Sequence, residues 1–141
     1  MTIRQQMKLL CTCLCRQDEL YAAVSKRHGL SYHTAMTLYA LDQDEGCTQK
    51  EIAKTWPIPK QTVNTVVKEL ERQGYVFFQT GKKEKQVRFT EAGRAFAGPC
   101  LQELYEIEDR AVAAMGEARF REMVEANRAF TEAFAREVQH G

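Results

Sequence analysis

The sequence predicts a mainly α chain of α+β type: paired short helices and a β-hairpin, flanked by long helices at both ends. Three observations carry that expectation. Apolar residues recur at helical spacing over most of the 141 residues. The period drops to that of a strand in one place, around residues 76–90. Just before it, a capping box and two closely spaced prolines punctuate a pair of short helices.

The elements follow in order. Ile3, Met7, Leu10, Leu14, Tyr21 and Val24 form one stripe, predicting a helix from residue 3 to about 27 that stops near Gly29. Ser31 caps a second helix, running to about Asp44 with Tyr32, Met36, Tyr39 and Leu41 as its apolar content. Asp44-Glu45-Gly46 is a turn. Thr48-Gln49-Lys50-Glu51 is a capping box: the Thr48 hydroxyl accepts from the Glu51 amide while the Glu51 carboxylate reaches back. It opens a short helix with Ile52, Ala53 and Trp56, ended by Pro57. Pro59 suits the first turn of the next helix, expected from about Lys60 to Gln73, with Val63, Val66, Val67 and Leu70 buried and Gly74 as its stop.

Val76–Thr80 and Gln86–Thr90 are rich in β-branched and aromatic residues and read as a hairpin with a basic tip, Gly81-Lys82-Lys83-Glu84-Lys85. Thr90-Glu91-Ala92-Gly93 starts a helix expected to bend near Gly98-Pro99 and to continue to about Met115. Gly116 separates it from a last helix with Phe120, Met123, Phe130, Phe134 and Val138 on one side. A short helix, a tight turn, a second helix and a basic hairpin make up the winged form of helix-turn-helix.

At this length one domain is expected. No apolar run approaches the ~18–20 residues of a membrane helix. The run Leu9–Cys15 is short for a signal-peptide core and lacks a cleavage site, so a cytoplasmic chain with no membrane partner is expected. Five cysteines, an odd number, fit reduced thiols. No phosphate loop, nucleotide-fold fingerprint, paired carboxylates or nucleophile–base arrangement stands out, so an enzyme is not expected, nor a cofactor or resident metal.

The net charge of +1 conceals a division. Residues 1–47 carry five basic and five acidic side chains. Residues 48–94 carry ten basic against five acidic, a net +5, and residues 95–141 five basic against nine acidic, a net −4. Positive charge thus sits on the helix-turn-helix and hairpin, where a polyanion-binding module would need it.

The run Gln49-Lys50-Glu51-Ile52-Ala53-Lys54, then Gln61 through Val76, the hairpin and Thr90-Glu91-Ala92-Gly93 resembles the MarR family of bacterial transcriptional regulators. Gly29-Leu30-Ser31-Tyr32 opens the second helix as it commonly does there. The resemblance covers nearly the whole chain. It implies a single domain over residues 1–141, with a winged DNA-binding lobe at 31–95 and a helical dimerisation lobe from 1–30 and 96–141. It also implies a homodimer on a pseudo-palindromic operator of double-stranded DNA, usually a repressor released by a small ligand or an oxidant. The wing is shorter than is common in the family and lacks an Asp-x-Arg pair near its tip, so its lysines are expected to hold phosphates rather than probe a narrow groove.

On the second helix of the motif, Gln61, Thr62, Asn64, Thr65 and Lys68 point away from the valine stripe. Gln61 and Asn64 have the amide geometry to pair with adenine, and Thr62 and Thr65 suit thymine methyls or phosphates. Lys60, Lys82, Lys83, Lys85 and Arg88 would hold the DNA backbone and set the salt dependence. Trp56 and Ile58 read as packing around the turn.

Tyr21, Tyr32, Met36, Phe96 and Cys100 are the candidates for lining an effector pocket, although aromatic and Met side chains at helical spacing are commonly core. Cys11, Cys13 and Cys15 are candidates for redox or metal sensing. Cys11 and Cys15 share a helix face and could offer two sulfurs, with His28, His33 or a second subunit completing a site; the competing reading is that small thiols pack in a tight dimer core. In the hydroperoxide-sensing branch of the family, the reactive cysteine's position matches Met7 here, one turn from Cys11. Cys47 and Cys100 read as structural. Two alternatives stand beside the DNA-binding regulator: a thiol-based redox or metal sensor on the same scaffold, and a winged-helix protein-interaction module that does not bind DNA.

Overall fold

The computed structural model describes residues 1–80 and 83–141. Its elements run α1 (Ile3–Arg27), α2 (Tyr32–Gln43), α3 (Gln49–Thr55), α4 (Lys60–Arg72), β1 (Val76–Thr80), β2 (Lys85–Phe89), α5 (Glu91–Met115) and α6 (Glu117–His140). Mainly helical, with one small antiparallel sheet, this is the winged helix-turn-helix architecture anticipated from the pattern. Gly81 and Lys82, the start of the expected wing tip, lie outside the described residues. None of the described helices is long and apolar enough to cross a membrane.

The chain divides into two compact units, Met1–Leu104 and Tyr105–Gly141. In the first, α2 is the central element. Ala35, Met36, Thr37, Leu38, Ala40 and Leu41 are all buried, so this helix has core on almost every side. Buried with it are Val24 of α1, Ile52 of α3, Val63, Val67 and Leu70 of α4, and Ala97, Cys100, Leu101 and Leu104 of α5. Val66, expected in the buried stripe, is only half-buried at its edge.

Local chemistry sets the boundaries. Thr2 and Gln5 make a capping box at the start of α1, and Thr48 and Glu51 make another at α3. Ser31 caps α2 through the Thr34 amide at 3.2 Å. Trp56, expected inside α3, is extended and ends it, because the following proline disfavours helical geometry there. Pro59 stands one position before α4 rather than within its first turn. α5 runs as one helix through Pro99.

The hairpin pairs Val76 with Phe89, Phe78 with Val87 and Thr80 with Lys85. Its second strand begins and ends one residue earlier than expected. Thr90 leaves the strand because its hydroxyl is needed at the start of α5: it donates to the Gly74 carbonyl at 2.6 Å and accepts from the Gly93 amide at 2.9 Å. The sheet also gains an edge that has no sequence signature. Gly46 donates to the Val87 carbonyl at 3.1 Å, and Val87 donates to the Cys47 carbonyl at 2.9 Å. Two residues of the α2–α3 loop thus act as a fragment of a third strand.

The second unit holds the C-terminal part of α5 and all of α6. No residue of α6 is buried. Met123, Phe130, Phe134 and Val138 stand exposed on one face of it, with the Phe130 and Phe134 rings edge-on at 5.7 Å.

Candidate nucleic-acid interface

The interface is organised by the tight connection between α3 and α4. Ile58 is buried and its amide donates to the Trp56 carbonyl at 2.6 Å, which reverses the chain within a few residues. Ile52 below and Val63, Val67 and Leu70 above lock the two helices against the core. With that face fixed, helical geometry places Gln61, Thr65, Lys68 and Arg72 on the opposite ridge, at successive turns. All four are exposed, and Thr62 and Asn64 lie half-buried on the flanks. The Thr65 hydroxyl donates to the Gln61 carbonyl at 3.1 Å, leaving its methyl and oxygen lone pairs outward. Arg72 extends the ridge but is paired with Glu69 (Nε to Oε2, 2.9 Å). Its basic character was legible, but its place on the ridge follows from which side of α4 is buried.

The N-terminus of α4 has no side-chain cap. Its first amides therefore point outward at the positive end of the helix dipole, an arrangement suited to a phosphate group. Lys60 is exposed beside them.

The hairpin supplies a second basic surface. Val76, Val87 and Phe89 are buried toward the core, so the alternation sends Phe77, Gln79, Gln86 and Arg88 to the other face. Lys83 and Lys85 are exposed near the tip, with the Lys85 Nζ 5.9 Å from the centre of the Phe78 ring. Lys82 lies outside the described residues. Arg88 is placed differently from the tip lysines: it is half-buried, bonds to the Gln79 and Gln86 side-chain oxygens, and packs over Gly46. A side chain at Gly46 would put its Cβ 2.9 Å from the Arg88 guanidinium.

The effector candidates are distributed rather than gathered. Tyr21 of α1 meets the rings of Tyr39 and Trp56 edge-on at 6.2 and 5.2 Å, and Tyr39 meets Trp56 at 5.3 Å. This three-ring cluster ties α1 to α2 and to the α3–α4 connection. Its Trp56 indole N–H is buried with no hydrogen-bond acceptor among the described residues. Tyr32 donates to the Asp18 carboxylate at 3.2 Å, and burial, aided by that carboxylate, pushes its phenol up to about 12. Met36 lies in the core. Phe96 instead stacks on Tyr75, ring centres 4.0 Å apart, at the base of the hairpin. Cys100 and Cys47 are buried, as expected of structural thiols. Burial, with help from Asp44 and Glu51, pushes Cys47 up to about 11. Cys11, Cys13 and Cys15 are all exposed. Among the described residues, no group of three or more His, Cys, Asp or Glu could hold a metal ion.

Comparison with known proteins agrees with this geometry. A sequence model of the MarR family matches residues 28–85. A MarR family regulator from Neisseria meningitidis is 26% identical, with 99% of each chain covered and a TM-score of 0.85. Two structures from Staphylococcus aureus share the fold at lower identity. MarR in complex with salicylate and kanamycin is 15% identical, with 95% of this chain and 93% of that one covered and a TM-score of 0.72. A MepR–DNA complex is 19% identical, with 94% and 96% covered and a TM-score of 0.68. No curated protein sequence matches the chain. Its winged motif, its family-model match over residues 28–85 and its fold together make this chain similar to the MarR family of winged helix-turn-helix transcriptional regulators.

Proposed function

We propose that the chain is a sequence-specific, dimeric DNA-binding regulator that represses transcription until a small ligand or thiol chemistry releases it. The observation that carries this reading is the outward ridge of α4, Gln61, Thr65 and Lys68, beside an uncapped helix N-terminus and a lysine-bearing hairpin. Amides and hydroxyls at successive turns suit base edges in a major groove. Lys60, Lys83 and Lys85, with Lys82, supply phosphate contacts that fix register without reading sequence. The MepR–DNA complex supports the same use of the fold.

The dimer rests on two apolar faces left uncovered in the single chain. On α1 these are Ile3, Leu10 and Leu14; on α6, Met123, Phe130, Phe134 and Val138. Contiguous exposed apolar faces of this kind mark association surfaces. Charge favours pairing a first helix with the partner's α5–α6 corner. Residues 1–16 carry Arg4, Lys8 and Arg16 with no acidic side chain, whereas an open groove of about 460 Å³ at that corner is lined by Asp109 and the Glu117–Arg121 ion pair beside Val112 and Phe120, a net negative lining. On this reading residues 31–95 face DNA, while 1–30 and 96–141 build the dimer, with half-sites about 34–36 Å apart.

Release would be a population shift: an effector that binds better to a state with different recognition-helix spacing weakens operator binding. Of the effector candidates, Tyr21 and Tyr32 are the proposed effector-facing residues, supported by the unsatisfied Trp56 N–H beside Tyr21, while Met36 and Cys100 lie in the core and Phe96 stacks on Tyr75. Selection of genomic fragments by the purified protein tests the function. Enrichment of one pseudo-palindromic site, with affinity falling steeply as salt rises, is expected. Absence of any duplex binding at low salt would favour a protein-interaction module instead.

A further inference from the structure

Three of the five cysteines, Cys11, Cys13 and Cys15, lie exposed within about one turn of α1. The helix is continuous across them, capped at Thr2, and the Thr12 hydroxyl between them bonds back to the Lys8 carbonyl at 2.8 Å. The register of the thiols is therefore that of a regular helix. At about 100° per residue, Cys11 and Cys15 are about 40° apart and one turn apart, so they share a face. Cys13 projects from nearly the opposite side. Cys11 and Cys15 also lie off the centre of the Ile3–Leu10–Leu14 stripe, on the flank that carries Lys8 and Glu19.

That spacing selects one chemistry. Side chains at i and i+4 have Cβ atoms about 5–6 Å apart. A disulfide needs about 3.5–4.5 Å between Cβ atoms and about 2.05 Å between sulfurs, so these two thiols cannot join without unwinding the helix. A soft atom placed between them has no such difficulty. At a pyramidal trivalent centre with two sulfur bonds of about 2.3 Å at roughly 100° to each other, the sulfurs stand about 3.5 Å apart, within reach of side chains one helical turn apart. Within one chain a four-ligand cage is not available either, since no group of three or more metal-binding side chains occurs among the described residues. What remains is a centre that takes two sulfurs and no further protein ligand. The other two thiols, Cys47 and Cys100, are buried and offer no competing site.

We infer that Cys11 and Cys15 form a two-thiol clamp on α1 for a thiophilic centre of this kind, the fitting class being a trivalent arsenical with one organic substituent. The reaction is a condensation. The As=O oxygen takes the two thiol protons and leaves as one water. Two As–S bonds form, arsenic stays trivalent, and neither sulfur is oxidised, so no oxidant is required. The clamp rests on the register of α1 and is independent of whether the chain binds DNA.

The test uses the full-length protein, phenylarsine oxide as probe, and intact-mass measurement in excess monothiol. One adduct per chain is expected in the unsubstituted protein and in Cys13→Ser, displaced by a small dithiol. Cys11→Ser and Cys15→Ser should each weaken retention at least about a hundredfold, the loss expected when the second contact of a pair is removed. All three sites are exposed, and unchanged circular dichroism will confirm that the helices persist. Undiminished binding in Cys11→Ser or Cys15→Ser, or loss in Cys13→Ser, would overturn the clamp. A zinc arm separates a shared site: half an ion retained per chain would assign the sulfurs to two copies and also overturn it. DNA affinity measured on the same samples keeps this result distinct from the regulator reading.

Discussion

Gly93 lies against the backbone of Tyr75 so closely that a Cβ on Gly93 would stand 1.8 Å from the Tyr75 carbonyl oxygen. That approach joins the start of α5 to the base of the wing. Thr90 closes the same junction, its hydroxyl bonding the Gly74 carbonyl and the Gly93 amide while its own amide donates to Tyr75. The Thr90-Glu91-Ala92-Gly93 run is thus a splice between hairpin and helix, and its glycine is there for space. Gly93→Ala should destabilise the protein by about 3 kcal/mol or more, since backbone must move to admit the methyl. Gly98→Ala is the control: nothing lies within 4 Å of its Cβ position, and the change should be neutral or slightly stabilising. Urea unfolding of both variants checks the contrast; equal midpoints would remove the role assigned to Gly93.

Gln61 stands on the exposed ridge of α4 and should carry sequence discrimination. Gln61→Ala is expected to cost about 1–3 kcal/mol on the selected operator and little on random duplex. Full retention of sequence preference would show that the ridge does not read bases.

Lys83 and Arg88 are both basic wing residues, but their surroundings predict different effects. Lys83 is exposed near the tip, so Lys83→Ala should weaken binding to all sequences alike and reduce the salt slope by about one. Arg88 is engaged with Gln79 and Gln86 over Gly46, so Arg88→Ala should lower thermal stability as well as DNA affinity. Salt titrations paired with thermal melts separate the two; an unchanged slope in Lys83→Ala would take the tip out of the interface.

Glu103 accepts from His28 at 2.6 Å and pairs with Arg27, tying the end of α1 to α5. The His28 hydrogen bond is the larger cause holding its carboxyl below the ordinary 4.5, with Arg27 adding to it. A carboxyl depressed in the folded state contributes stability above its unfolded pKa, and that contribution is lost as pH falls through the folded value. Glu103→Gln should therefore lower stability near neutral pH and flatten its decline below about pH 4.5. Acid unfolding curves that superimpose with those of the parent would dismiss this link.

Phe134 is 55% exposed in the single chain and sits in the middle of the α6 stripe. If that stripe is the dimer seam, Phe134→Glu should shift the sedimenting species to half the mass. A dimer of unchanged stability would place the seam elsewhere.

Much of the helical layout was legible because it depends on neighbours in sequence. Thr48 and Glu51 form their capping box within four residues, Ser31 caps α2 on its own, and the Val63–Val67–Leu70 stripe announces which side of α4 is inward. The small misplacements have the same origin in reverse. Trp56 was expected in α3 and Thr90 in the second strand, and each is diverted by an adjoining feature: the proline after Trp56, and the cap that Thr90 makes on α5.

By itself, the sequence determined the order and kind of elements, the segregation of basic charge onto residues 48–94 and the polar character of the helix that follows the turn. Periodicity, capping and composition are local properties, and they survive without knowledge of the fold. Only the tertiary structure decided that Gly46 and Cys47 complete the wing's sheet, that Arg88 is held at its base, that Phe96 stacks on Tyr75, and that Cys11, Cys13 and Cys15 are exposed. Each of these depends on which distant surface arrives beside a residue, and packing around α2, not spacing along the chain, sets that.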